Sequence, residues 1–189
     1  MYSSIKKKKI LILGGSSDIS KELVKNIDTK KYHILLHYNK NKPYLNSKNF
    51  NSIKMDFTNI SEKKINTILK KFKNFDIIIN LIGYIDGKTY FTSNYKNLVK
   101  SLKANFIIPL LIIKHSIKHM KKNKFGRIVN CSSIGTKFGG GENTYNYSLA
   151  KHCSEFIEKE LKKISKLNIF IKNIKLGVIN TKIHKKTPK

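Results

Sequence analysis

One feature constrains the fold more than any other. Short apolar runs take turns with segments of helical periodicity from one end of the chain to the other. Such alternation builds a parallel sheet with crossover helices packed on its faces. Strands are expected near 9–14, 32–38, 51–55, 75–82, 126–132 and 168–176, and helices near 18–27, 61–73, 94–121 and 144–166. Runs such as Asp76-Ile77-Ile78-Ile79-Asn80 and Arg127-Ile128-Val129-Asn130 are continuously apolar between their ends, as strands covered on both faces require. The stretch 39–49 holds Pro43 and several Asn, so a crossover helix there is expected to be short or absent. No repeat or interdomain linker interrupts the 189 residues, which suit one domain, and the lysine-rich end, 181–189, is expected to fray.

Charge narrows the partners. Lysine and arginine total 39 against 11 acidic residues, a formal +28, which raises nucleic acid or an anionic membrane surface as a possibility. Yet Arg127 is the only arginine, and recognition of phosphates and guanine favours arginine. The lysines are spread over nearly every expected helix and loop, so no specific nucleic-acid partner is expected. Cys131 and Cys153 form no CxxC pair and have no histidine at ligand spacing. His33, His37, His115, His119, His152 and His184 form no triad or metal set, and all are read as surface residues; no metal is expected. The apolar stretches Ile10–Leu13 and Phe106–Ile113 are too short for a signal-peptide core or a membrane span. A soluble cytoplasmic protein without a membrane partner is the expectation.

Three local patterns carry chemistry. Gly14-Gly15-Ser16-Ser17-Asp18-Ile19-Ser20 joins the first strand to the first helix, where small residues let backbone approach a pyrophosphate and a helix N-terminus offers free N–H groups. Tyr147 and Lys151 are four apart, which puts both on one face of a helix. A tyrosine with an ordinary pKa near ~10 works poorly as an acid–base group at neutral pH, and a neighbouring lysine charge favours its phenolate. Gly126-Arg127-Ile128-Val129-Asn130-Cys131-Ser132-Ser133 ends in two hydroxyls.

Together these segments resemble the short-chain dehydrogenase/reductase family, in particular 3-oxoacyl carrier-protein reductases. The glycine turn is similar to TGxxxGxG, with Leu13, Asp18 and Ser20 as departures; Asp18 is suited to capping the helix. The 126–133 segment resembles GRIVNISS, Asn80-Leu81-Ile82-Gly83 resembles NNAG, and Gly177 to Thr181 resembles PGxxxT with Leu176 in place of proline.

The resemblance implies a Rossmann-type doubly wound α/β fold of three αβα layers and a catalytic set of Asn105, Ser133, Tyr147 and Lys151. Tyr147 would exchange a proton with the substrate oxygen, Lys151 would bind the nicotinamide ribose, and Ser133 would hydrogen-bond the carbonyl, with Ser132 as the alternative one register away. Asn105 would disturb its helix and hold a relay water. Gly14, Ser16, Ser17, Asp18 and Ile19 would cradle the dinucleotide. Asn39 and Lys40 would meet the adenosine ribose, Asp56 would meet the adenine or cap a turn, Asn80 would steady the sheet, Gly83 would let the cofactor pass, and Ile179 and Thr181 would contact the nicotinamide.

The second strand ends without a carboxylate, and Lys40 could attract a 2′-phosphate, which favours NADP while leaving NAD open. Family members usually continue through a substrate-covering segment, a helix and a final strand beyond the point where this sequence stops, so that strand is expected to be missing. The substrate is then a small carbonyl compound or an acyl thioester, with an acidic carrier protein as a candidate partner and homo-oligomerisation open. Two alternatives remain: a cofactor binder without turnover in a regulatory or scaffolding role, and a nucleic-acid-binding Rossmann domain.

Overall fold

In a computed structural model, which describes residues 7–43 and 48–182, the chain forms a parallel sheet flanked by helices. The strands are β1 Lys8–Leu13, β2 Tyr32–Tyr38, β3 Phe50–Lys54, β4 Ile77–Asn80, β5 Gly126–Ser133 and β6 Ile169–Leu176. Their order is β3-β2-β1-β4-β5-β6, and all five pairings are parallel. The order reverses at β1, so a crevice opens between the C-terminal ends of β1 and β4, where such folds place ligands. Alternate residues of β1 enter different cores: Leu11 and Leu13 pack with Phe72, Ile78, Ile112 and Met120, while Ile10 and Ile12 pack with Ile34, Leu36 and Phe50. That two-sided burial is why the strand shows no polar alternation.

Helix α1 spans Asp18–Lys25 and α2 spans Glu62–Lys71. Among the described residues no helix lies between β2 and β3, while the segment expected to fray lies outside them beyond Lys182. The long helix expected over 94–121 is three pieces: α3 Tyr95–Leu102, a π-helical segment Lys103–Ile107, and α4 Ile108–Asn123. Pro109 supplies the reason. It has no N–H for the carbonyl four residues back, Asn105, so the α-helical ladder cannot run through that point.

The helix expected over 144–166 is also interrupted. It comprises α5 Tyr145–Ser154 and α6 Lys159–Lys163, followed by a 3₁₀ turn Ile164–Leu167. Side-chain amides replace the helical ladder at the break: Asn130 donates to the Ser154 carbonyl at 2.8 Å and Asn173 to the Glu155 carbonyl at 2.6 Å. Glu158 restarts the helix by capping the amides of Glu160 and Leu161. Asn80, Asn130 and Asn173 stand in register on β4, β5 and β6. They form a ladder in which Asn80 donates to Asn130 at 2.8 Å and Asn130 to Asn173 at 3.2 Å.

Ser20 is fully buried where α1 meets the sheet, and its hydroxyl has no hydrogen-bond partner among the described residues. A buried orphan hydroxyl costs about 1–3 kcal/mol. Ser20→Ala is therefore expected to raise stability to urea by about 1 kcal/mol, since it deletes the orphan and leaves only a small void. An unchanged or lowered midpoint would show that the hydroxyl is satisfied in solution.

Candidate active site

The C-terminal ends of β4, β5 and β6 border a cavity of about 410 Å³. Among the residues singled out in the sequence, Ile19, Gly83, Ser133, Tyr147, Lys151, Ile179 and Thr181 line it together. Gly14, Ser16, Ser17 and Asp18 form the turn that precedes Ile19. Asn39, Lys40 and Asp56 follow β2 and β3, outside this cavity, while Asn80 and Asn105 are buried behind its wall. Sequence reasoning missed Ile85, Glu142 and Val178, which sit on loops, and Phe138, which ends the 3₁₀ turn Ile134–Phe138; none has a periodicity to mark it.

Tyr147 and Lys151 lie on α5, held against β5. Lys151 is 2 % exposed, and its ammonium donates to the Cys131 carbonyl at 2.6 Å. Burial brings its pKa down to about 8, opposed by Cys131 and by Glu155. The lysine nitrogen sits 5.8 Å from the centroid of the Tyr147 ring. Burial of Tyr147 raises its phenol above the ordinary value, and the hydrogen-bonding hydroxyl of Ser133 pulls it back only in part. The lowering expected from lysine does not figure among the influences on the phenol, where loss of water dominates and Cys131 adds to the rise, so the phenol holds its proton at neutral pH. The two neighbouring serines divide: Ser132 gives its hydroxyl to Glu155, whereas Ser133 faces Tyr147. Glu155 also accepts from Thr136 at 2.7 Å and pairs with Lys175 at 2.9 Å, so the end of α5, the turn after β5 and the end of β6 are tied by one carboxylate.

Asn105 is fully buried within the π-helical segment. Its amide accepts from the Tyr84 N–H at 2.8 Å and donates to the Tyr84 carbonyl at 2.9 Å and to Ser101 at 3.0 Å. The side chain is thereby spent on fixing the loop after β4. Asn105→Ala is expected to lower stability by about 1–3 kcal/mol, the cost of orphaning the Tyr84 backbone groups. Urea denaturation checks this, and a change below about 0.5 kcal/mol, the range of neutral surface substitutions, would contradict it. Asn146, beside Tyr147, braces the same loop by bonding Ser93 and Asp86, each at 2.8 Å.

The turn before α1 is capped by Ser17, whose hydroxyl accepts from the Ser20 N–H at 3.1 Å. Asp18 is the first helical residue, and its carboxylate accepts from the Lys182 N–H at 3.0 Å instead of capping the helix, which corrects the sequence expectation. Gly14 has φ of 82°, a conformation that glycine adopts without strain. Asp56 accepts from Thr58 N–H at 2.9 Å, Thr58 hydroxyl at 2.7 Å, Asn59 at 2.8 Å and Asn39 at 3.2 Å, so it caps the 3₁₀ turn Phe57–Asn59. These bonds hold its carboxyl below the usual range against the effect of burial, the largest single influence, which pushes it up. Lys40 is exposed. His37 is buried, contrary to the reading of all six histidines as surface residues: alternation along β2 turns it toward Phe57 and Phe72. His119 is half-buried and pairs with Asp76, His33, His115 and His152 are exposed, and His184 lies outside the described residues.

The donor set suits a dinucleotide. A helix leaves its first N–H groups without helical partners, and here those of Asp18 and Ile19 have no other partner among the described residues, while Gly83 is exposed and adds no side chain.

The family model for short chain dehydrogenases matches residues 8–189. A 3-oxoacyl-[acyl-carrier-protein] reductase of Aquifex aeolicus is 26% identical over 177 residues, which are 91% of this chain and 64% of that protein. The enzyme of the same description from Buchnera aphidicola is 32% identical over 145 residues, 72% of this chain and 59% of its own length. The chain thus spans about three fifths of these curated relatives. Among solved structures, a 3-oxoacyl (acyl-carrier-protein) reductase from Agrobacterium tumefaciens with NADP bound has a TM-score of 0.77 at 14% identity, covering 96% of this chain and 74% of that one. A short chain dehydrogenase family protein from Francisella tularensis has a TM-score of 0.74 at 22% identity, covering 95% and 73%. Sheet order, the crevice at β1 and the match over nearly every residue lead to one assignment: the chain belongs to the short-chain dehydrogenase family.

Proposed function

We propose that the protein is an NAD(P)-dependent oxidoreductase that interconverts a carbonyl and an alcohol, with Tyr147 as the acid–base group and NADPH as the preferred cofactor. The observation that carries this reading is the convergence of Ser133, Tyr147 and Lys151 on one cavity with Ile19, Gly83 and Thr181. The nicotinamide, when bound, supplies or accepts the hydride.

The chain's own residues hold and move the proton. A buried, neutral Tyr147 is loaded for donation, which suits the reductive direction. Ser133 beside it offers a hydroxyl to the carbonyl oxygen as negative charge develops there. The ammonium of Lys151 donates one N–H to the Cys131 backbone carbonyl, and the remaining two would serve ribose hydroxyls. With Pro109 unable to donate, the Asn105 carbonyl is available to a water that refills the proton supply. The turn from Gly14 to Ile19 would hold the phosphates. Asn39, Lys40 and Asp56 would meet the adenosine end, and Ile179 and Thr181 would contact the nicotinamide. The absence of a carboxylate after β2 and the exposed Lys40 support NADPH over NADH.

The relatives' names support an acyl thioester as substrate, and the formal +28 suits an acidic carrier. Free Cys131 and Cys153 suit a reducing cytoplasm. Among the described residues no helix is long and apolar enough to cross a membrane.

The test is an NADPH oxidation screen over ketones and acyl thioesters beside Tyr147→Phe, with fluorescence titration of NADPH and NADH. Turnover by the native chain alone is the expected result. Equal inertness of the two with intact cofactor binding would favour a binder without turnover, and no binding of either dinucleotide would overturn the reading.

A further inference from the structure

His37 is the penultimate residue of β2 and is 4 % exposed. Its ring stacks on Phe57 with centroids 4.0 Å apart and planes at 14°, and meets Phe72 edge-on at 6.1 Å. Nε2 lies 2.9 Å from the Met55 carbonyl, and Nδ1 accepts from the Gly14 N–H at 3.4 Å. The His37 backbone carbonyl accepts the next amide of the turn, Gly15, at 2.7 Å. A carbonyl can only accept, so Nε2 carries the proton and Nδ1 keeps the lone pair; one neutral tautomer satisfies both contacts.

One residue therefore takes both glycine amides of the phosphate-binding turn. Ser17 N–H is bonded to Gly14 and Ser20 N–H to the Ser17 hydroxyl, at 3.1 Å each. The amides that the turn can present outward are then those of Ser16, Asp18 and Ile19. Through Met55 the same ring is fastened to the residue before Asp56, on the adenosine side. The stacking could be supplied by any aromatic ring, whereas the two ring hydrogen bonds, one of them to the turn, need the imidazole.

We propose that His37 is a positioning residue for the dinucleotide: its tautomer locks the glycine turn to the loop after β3 and thereby sets which amides meet the phosphates. The proposal rests on the cofactor reading above. Burial keeps the ring neutral by lowering its pKa to about 4. Asp56 acts on it in the opposite sense, and the other faces of the ring meet Phe57, Phe72 and the backbone of Gly14 and Met55. A protonated ring would set N–H against the Gly14 N–H, so the lock belongs to the neutral form.

His37→Phe keeps an aromatic ring and deletes both ring hydrogen bonds, while His37→Asn restores an acceptor near the Nδ1 position. For His37→Phe we expect the Kd for NADPH to rise about tenfold, on the order of one lost hydrogen bond, with kcat at saturating cofactor within about twofold. His37→Asn should recover part of that affinity. The Gly14 amide should exchange faster in the Phe variant and be protected again in the Asn variant.

A Phe variant that binds NADPH like the native chain would overturn the role. So would a fall in kcat matching the loss of affinity, since that would mark a general structural defect. Should both variants fail to fold, the native chain still decides: the His37 ring nitrogens and the Gly14 amide must shift together on titration with NADPH, and resonances unmoved at saturation overturn the proposal. A native chain that binds neither dinucleotide would end the cofactor reading and the role with it, while Gly14 exchange would still report whether the ring holds the turn.

Discussion

Tyr147→Phe is expected to lower turnover of a carbonyl substrate by about 100- to 10,000-fold, the range that a positioned acid contributes, while affinity for NADPH changes less than about twofold. The substitution removes one oxygen from a ring that lines the cavity and keeps the ring itself, so folding has no reason to suffer. The loss should appear in kcat and kcat/KM alike, because the proton is needed only as the carbonyl becomes an alkoxide. Burial holds the native phenol above its ordinary pKa, so the acid is available across the neutral range. A Phe variant with more than about a tenth of native turnover would show that another group, Ser133 or a water, delivers the proton.

Lys151→Met carries the second large effect, read in stability as well as rate. In the unfolded chain the lysine holds its proton up to about pH 10.5; in the fold burial releases it near pH 8. Between those values the unfolded state binds more protons, so native stability rises with pH by as much as about 3 kcal/mol. Below pH 8 both states are charged, and the cost of burying the ammonium is felt in full. Met fills similar volume without charge. The variant is expected to be more stable than the native chain at pH 7, to lose the rise between pH 8 and 10, and to lose most turnover. Urea denaturation at pH 7, 8, 9 and 10 checks the first two, and parallel curves for the two proteins would sink the linkage.

The fold was legible because the strands are short, β1 and β4 are apolar on both faces, and all alternate with segments of helical periodicity. Helix interruptions were less so. Pro109 was in plain view inside the expected 94–121 helix and is the signal for the π-helical segment at Asn105; weighed as a missing donor, it would have located the break. The interruption after Ser154 had no such signal, because the amides that replace its ladder come from Asn130 and Asn173, distant in sequence. Tyr147, Lys151 and Ser133 were visible through spacing on regular elements. The burial of His37 was hidden because a histidine on a strand of mixed polarity reads equally well outward. The electrostatics of Tyr147 depended on a competition between the Ser133 hydrogen bond and loss of water that no motif encodes.

The asparagine ladder across β4, β5 and β6 has a consequence for assembly of the sheet. Three amides that bond one another across the sheet, two of them buried, act as a key: sliding any of these strands by one residue turns its asparagine to the opposite face and strands its neighbours' donors. Parallel strands come together from distant parts of the chain, where mispaired arrangements are easily sampled. The key penalises those arrangements while leaving the correct one fully satisfied. Since Asn130 and Asn173 also hold the end of α5, the strand alignment that closes the key is the one that brings Tyr147 and Lys151 to the cavity.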